Sequence, residues 1–342
     1  KLVEMGNEIH EYLSVNSKLS DSKTPTVIDK TINFIDSHDQ YFVFINLMDA
    51  HLPYNPPQNC RDKFAPNADP NSVCQNSKEY NSGARNISQD EWDQIRQLYD
   101  AEIYHLDSQL GRLFDWMKAN KKWDETLIIV CADHGELHGE HDLYGHEFCI
   151  YDQLVHVPLL IKHNDISKNI QNYQIELIDL YHTIIDAAGG SVAKNGTPFN
   201  KKRSLLSPNY RKFEGSEFAF IEYSKPIVEL QQLESKAKKS NITIDENSRF
   251  YSRMRGIRTK ETKYIKNETI IDEFYQLDED PCELKNKIHS KNSTIPFLKN
   301  SLVSFETATG ANWDSNTDPT EDTTSNMDEQ VRDRLRDLGY LD

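Results

Sequence analysis

The chain has 342 residues and a formal net charge of −16, which argues against a nucleic-acid phosphate backbone as its main partner, since that backbone demands a basic face. Mean hydropathy is −0.73, and no apolar stretch approaches the roughly 20 residues a membrane-spanning helix needs. The five cysteines (Cys60, Cys74, Cys131, Cys149 and Cys282) form no C-x-x-C pair and no even framework. The length allows one large α/β domain with an appendage, or two domains.

Residues 24–37 read as a helix with Val27, Ile28, Thr31, Ile32 and Ile35 on one side. Residues 41–47 read as a strand apolar on both faces, hence central in a sheet. This strand runs into Met48-Asp49-Ala50-His51-Leu52-Pro53-Tyr54. Pro53, Pro56 and Pro57 then impose a loop expected to stay irregular to about Gly83. Cys60 and Cys74 share that loop and could pair in an oxidising compartment. Ser88-Gln89-Asp90-Glu91 is a capping box. It opens a long helix whose stripe of Trp92, Ile95, Tyr99, Ile103, Leu106, Leu110, Leu113 and Met117 has helical spacing and reads as core.

The β-branched run at 126–130 reads as a buried strand, with Cys131 at its end as a small buried hydrophobe. Residues 157–162 form another short strand, placed at an edge or a strand start by Pro158. Residues 175–188 are a helix closed by Gly189-Gly190. Beyond about Gly190 short strands at 218–222, 253–258, 263–266 and 273–277 predict a small antiparallel sheet. Residues 234–247 are a charged insertion expected to be mobile, 307–328 a polar linker and 330–341 a terminal helix. The expected organisation is an α/β core at 1–190, a subdomain at 191–306, and a linker with terminal helix at 307–342.

In open α/β sheets, ligands sit just outside the carboxyl ends of the strands. Asp133 and His134 stand at such an end, offering a carboxylate oxygen and an imidazole nitrogen side by side, suited to a divalent cation. The bland alternative is an aspartate N-cap with a histidine on the next turn. The crowding of Glu136, Glu140 and His141 behind the pair favours metal ligation. His146, in Tyr144-Gly145-His146, sits on a glycine-flanked loop and is either a substrate contact or loop surface. His51, held by Pro53, could donate to an anionic oxygen or be a satisfied loop histidine. Glu136, Glu140 and His141 read as supports for ligands or as surface, and Asp49 as structural.

Taken in order, these segments resemble the C-terminal two-thirds of a sulfatase of the alkaline-phosphatase superfamily. The segment from Phe44-Ile45-Asn46 to His51-Leu52-Pro53-Tyr54 is similar to the family's strand ending in a substrate-contacting histidine. Tyr99-Asp100-Ala101-Glu102-Ile103, Leu106-Asp107 and Gly111-Arg112-Leu113 resemble the helix before the second metal motif. Ala132-Asp133-His134-Gly135-Glu136 and Gly139-Glu140-His141 resemble the motif itself. His156-Val157-Pro158-Leu159-Leu160-Ile161, Arg255-Gly256-Ile257-Arg258 and Glu273-Phe274-Tyr275-Gln276-Leu277 match later family segments.

The resemblance implies a three-layer α/β sandwich with a mixed, mostly parallel central sheet, followed by a small C-terminal antiparallel sheet. It implies an arylsulfatase-like sulfuric ester hydrolase acting on a small sulfate ester or sulfated sugar. It further implies one divalent cation, Ca2+ first with Mn2+ or Zn2+ as alternatives, half of whose cage would come from Asp133 and His134. His51 and His146 would hold sulfate oxygens or protonate the leaving alkoxide.

Three departures matter. No Cys or Ser lies in the C/S-x-P-x-R arrangement from which the family makes its formylglycine nucleophile, and the family's first-strand aspartate pair is missing too. This sequence is therefore expected to be an incomplete, inactive piece. Many members carry Lys where His146 stands. Many calcium sulfatases carry Asn where His134 stands, and an Asp-His pair also suits manganese or zinc, as in phosphonate and phosphodiester hydrolases of the same superfamily. The alternatives are such a hydrolase, a phosphoryl-type transferase, or a non-catalytic remnant or binding module. Localisation is left open by the N-terminus, the cytoplasm being favoured.

Overall fold

A computed structural model describes residues 23–164, 166, 168–190, 199–207 and 217–309. Helix α1 (Thr24–Asp36) has a proline in its first turn, where a missing amide costs nothing, and buries Ile28 and Ile35. The segment 41–48 then alternates in exposure. Tyr41, Val43 and Ile45 pack on Ile28, Ile35, Leu113 and Met117, while Phe42 and Phe44 are 71% and 79% exposed. A strand apolar on both faces needs a covering layer on each. The described residues supply one, and the expected central strand has no ladder partner among them.

The 54–83 loop is more regular than its prolines suggest. It contains α2 (Gln58–Phe64) and α3 (Ser77–Asn81). Asn76 caps α3, its side-chain oxygen accepting the amides of Lys78 and Glu79 at 3.0 and 3.2 Å. Cys60 and Cys74 are separate buried thiols, so no disulfide joins them. Helix α4 (Gln89–Ala119) starts at Ser88, whose Oγ accepts the Glu91 amide at 3.2 Å. Glu91 leaves the box open, because its carboxylate instead accepts from the Cys74 amide and from Arg85. Trp92, Ile95, Leu113 and Met117 are buried as their spacing predicts, but Ile103 is exposed and Leu98, Ala101, Glu102 and His105 are buried. α1 and α2 both pack on α4, which shifts the buried arc away from the stripe the sequence marks.

Strand β1 (Ile128–Cys131) pairs antiparallel with β4 (Leu159–Lys162), Cys131 facing Leu159 across the ladder. Cys131 is exposed rather than buried. Between them lie the hairpin of β2 (Leu137–His138) and β3 (Tyr144–Gly145) and the short α5 (Asp152–Val155). Helix α6 (Ile178–Ala187) ends at Gly189, whose φ of +66° lets its amide reach the Asp186 carbonyl.

The C-terminal sheet is as the sequence predicts. β5 (Ala219–Tyr223), β6 (Met254–Arg258), β7 (Thr262–Asn267) and β8 (Glu273–Gln276) pair antiparallel in chain order. α7 (Ile227–Lys239) runs through the start of the charged stretch expected to be mobile. Leu233 and Ala237, four residues apart, are buried there, and Lys236 pairs with Glu79 at 3.0 Å. α8 (Thr294–Thr309) covers one sheet face, setting Ile295, Leu298 and Leu302 against Ile257, Tyr264 and Phe274. Met254, Ile265 and Tyr275 of the other face pack on Leu137, Leu143, Ile150 and Leu154.

Charges reinforce that contact. Lys263 is 0% exposed, with its Nζ 2.9 Å from both Asp152 and Glu283, and Arg258 adds a 2.8 Å bond to Asp152. A buried ammonium is tolerated only with such compensation. Burial opposes the charged form of Asp152, but Lys263 and Arg258 outweigh it and hold its carboxyl at about 2.

Every ladder among the described residues is antiparallel, so the mostly parallel central sheet is not found among them. No helix among them is long and apolar enough to cross a membrane. From residue 310 on, the expected linker and terminal helix lie outside the described residues.

Candidate active site

Asp133 and His134 stand just past the end of β1. The chain then passes directly over α5. The Gly135 amide donates to the Leu154 carbonyl at 2.8 Å, and a Cβ on Gly135 would lie 1.9 Å from the Gln153 oxygen. Only glycine permits that approach, so the sheet-backed α5 fixes the direction in which the strand end turns. Asp133 Oδ1 accepts the His134 amide at 3.0 Å, while its side chain remains 71% exposed.

The His134 Nδ1 lies 2.8 Å from the Gly135 carbonyl. A carbonyl only accepts, so Nδ1 carries the proton and Nε2 keeps its lone pair. The same logic applies to His51, whose Nδ1 is 2.6 Å from the Leu52 carbonyl. His146 follows Gly145, which has φ +90° and whose Cβ position is closed by Glu147 and Ser77. Its Nδ1 is 3.1 Å from Glu136 Oε1, a carboxylate whose side chain is almost fully buried.

The hairpin stacks the His146 ring on His134, with centroids 4.3 Å apart and planes at 25°, and His51 lies 5.0 Å beyond His146. Three imidazoles drawn from two distant stretches of chain therefore stand in a row. Each has Nδ1 bound to an oxygen, which leaves Nε2 for a ligand.

Their charges differ. Burial pushes the His51 imidazole below its ordinary value, with His146 nearby adding to the effect. For His146 burial acts in the same direction, but the Glu136 hydrogen bond and the Glu147 and Glu136 charges outweigh it, and its pKa is raised. Glu147, bonded to Lys78, is held below the usual carboxylate range: burial opposes this, and Lys78 and His146 overcome it. The row thus joins a neutral ring to one that favours a proton.

Glu136 also faces a buried aromatic wall. Tyr54 bonds His138 Nε2 at 2.9 Å, and Tyr99 packs edgewise on Tyr54 and tilted against His138. Glu140 accepts the His138 amide at 2.5 Å, and His141 stacks on Tyr151 at 3.7 Å, so neither joins the row. Asp49 accepts from Thr24 at the start of α1. The sequence reading overlooks Glu102, Tyr54 and His138. For Glu102 the signal is present, as an acid inside a buried helical arc.

For a cation, Asp133 offers an exposed carboxylate and His134 a ring whose Nδ1 proton is donated to a carbonyl. That is the tautomer a metal-binding histidine uses. The pair fits as part of a coordination shell. Among the described residues no group of three or more His, Cys, Asp or Glu is arranged to hold a metal ion.

A family model for sulfatases matches residues 7–191, more than half of the chain. The chain belongs to the sulfatase family. It is 27% identical over 219 residues to the choline-sulfatase of Rhizobium meliloti, the match covering 64% of this chain and 38% of that protein. It is 27% identical over 218 residues to arylsulfatase K of Bos taurus, covering 62% and 37%. The chain thus spans less than two-fifths of the length of these curated relatives. Among solved structures, the phosphonate monoester hydrolase of Agrobacterium radiobacter superposes with a TM-score of 0.62 at 20% identity, covering 83% of this chain and 60% of that one. The fold is that of the sulfatases and related alkaline-phosphatase-like hydrolases, and the family resemblance read from the sequence is borne out.

Proposed function

We propose that this chain carries the cation-and-anion half of a site that hydrolyses sulfate monoesters. The observation that carries the reading is the row of His51, His146 and His134 at the end of β1, with Asp133 beside it. Asp133 and His134 would hold a divalent cation, which when bound supplies a Lewis acid for the sulfuryl oxygens. The identity of that cation is part of the proposal. Calcium would need roughly six to eight oxygen ligands, so most of its shell comes from other groups, whereas manganese or zinc would accept the imidazole more readily.

His146, held toward its protonated form by Glu136, offers an N–H to an anionic oxygen or a proton to the leaving alkoxide. His51, kept neutral by burial and with its Nδ1 proton given to the Leu52 carbonyl, offers Nε2 as a proton acceptor. No Cys or Ser of this sequence lies in a C/S-x-P-x-R arrangement, so we assign no nucleophile to it. We place the segment 41–48 in the parallel central sheet expected of the family, where a second layer would cover Phe42 and Phe44. Two curated relatives are named for sulfate esters, one of choline and one of aryl alcohols, which supports a small sulfate ester or sulfated sugar as substrate.

The test is the binding of 4-nitrophenyl sulfate, 4-nitrophenyl phosphate and a 4-nitrophenyl phosphonate to this chain, each with calcium, manganese and zinc, read by titration calorimetry. Affinity for the sulfate ester is expected to exceed the other two by roughly tenfold or more. Preference for the phosphonate would move the chain to the second reading, suggested by the Asp-His pair. No binding of any ester with any cation would overturn both.

A further inference from the structure

Beneath the His51 loop lies a carboxyl pair that the proposed chemistry does not use. Glu102, on α4, is 5% exposed. It accepts the Asn55 amide at 2.8 Å and also hydrogen-bonds the Ala50 backbone and the Asp49 side chain. Asp49 in turn accepts from Thr24 at the start of α1. Both ends of the seven-residue segment 49–55 are therefore fastened to one side chain, and His51 lies between them. Ala50 has φ +71°, a conformation that a non-glycine residue keeps only where its surroundings impose it.

We propose that Glu102 is a positioning residue, a carboxyl clamp that holds both ends of the 49–55 loop on α4 and so sets where His51 stands against His146. The value of this for catalysis rests on the proposed role of His51; the clamp itself does not.

The clamp needs a shared proton, since two carboxylates bonded to each other repel unless one is protonated. Burial, then the Asp49 charge, lifts Glu102 to about 8. The other titratable groups facing the pair are the Cys60 thiol on α2, the Tyr54 phenol in the loop and His105 one turn along α4. Once the loop opens, Glu102 returns to an ordinary carboxyl range. Between that range and about 8 the closed loop keeps a proton that the open loop releases, so closure weakens as pH rises through this window and levels off above it.

Hydrogen exchange of peptides spanning 49–55, measured in the full chain from pH 5 to 9 and corrected for intrinsic rate, reads this directly. Protection should fall by roughly tenfold per pH unit up to about pH 8 and then flatten. Glu102→Gln keeps a neutral donor and acceptor, so its protection should stay flat with pH, while Glu102→Ala should lose it at every pH. The ring-carbon NMR shift of His51, assigned through His51→Gln, should show a second step near pH 8 in the native chain and none in Glu102→Gln. A fall of less than about twofold across the window, or a Glu102→Gln profile that tracks the native one, would overturn the clamp. If Glu102→Ala does not fold, the native and Glu102→Gln profiles decide. A clamp confirmed in a chain that binds no ester would leave the positioning intact and remove only its catalytic use.

Discussion

The C-terminal sheet and the histidine row are built on opposite principles. The sheet is made of neighbours: β5 to β8 pair in chain order, α8 covers one face, and the buried Lys263 is matched by two carboxylates. The row is made of residues far apart in sequence, with Asp133 exposed at its end. The difference teaches that the sheet is held by local pairing, whereas the row depends on the sheet-backed α5 and on distant segments for its geometry. Their link is α5, held to the sheet through Asp152 and to the strand end at Asp133-His134 through Gly135.

The largest test of this division is Lys263→Met. It leaves Glu283 buried without the Lys263 cation and Asp152 with Arg258 alone, and should cost about 3–5 kcal/mol, read as a drop in melting temperature of roughly 10 °C. If stability is unchanged, the ion pairs are not what joins sheet to core.

Acid offers the next test. The carboxyl of Asp152 is held at about 2, below its ordinary 3.8. Its contribution, about 2 kcal/mol, is present above that ordinary value and should be lost as pH falls from about 4 through 2. Urea titrations across this range should show the loss, and a chain carrying Asp152→Asn should lack this component.

Gly135→Ala attacks the junction, because the new methyl would occupy the space of the Gln153 oxygen. A destabilisation of about 1–3 kcal/mol is expected, with a disproportionate loss of cation binding by titration calorimetry. Equal cation affinity in the variant would separate the strand end from α5. The smallest effect belongs to Phe44→Ser, expected within about 0.5 kcal/mol while this face is open as it is among the described residues. A loss of several kcal/mol in chemical denaturation would instead reveal the covering layer of the proposed central sheet.

Legibility in the sequence follows the same line. The four C-terminal strands are readable because their pairing is local and their turns are polar, and α4 is readable from its cap and spacing. Ser88 does cap, yet Glu91 is diverted to Cys74 and Arg85, and Ile103 is left outside, because the partners that decide these points come from other segments. Asp133, His134, His146 and His51 are each visible as polar residues at strand ends or on glycine-bounded loops. That His146 stacks on His134 while bound to Glu136 depends on how the β2–β3 hairpin folds back, which spacing alone does not encode. Leu233 and Ala237 are too sparse among charges to announce a helix, and only packing beside α3 makes them core.

The central claim is that the row handles the ester's anionic oxygens, with His146 in the place of a cationic side chain. The most direct measurement is the affinity for 4-nitrophenyl sulfate, by titration calorimetry, of His146→Lys and His146→Ala beside the native chain. The lysine variant should remain within roughly tenfold of native, and the alanine variant should weaken by about tenfold or more, the loss of one charge-assisted hydrogen bond. An alanine variant that binds as tightly as the native chain would contradict the account and place the histidine row outside the anion site.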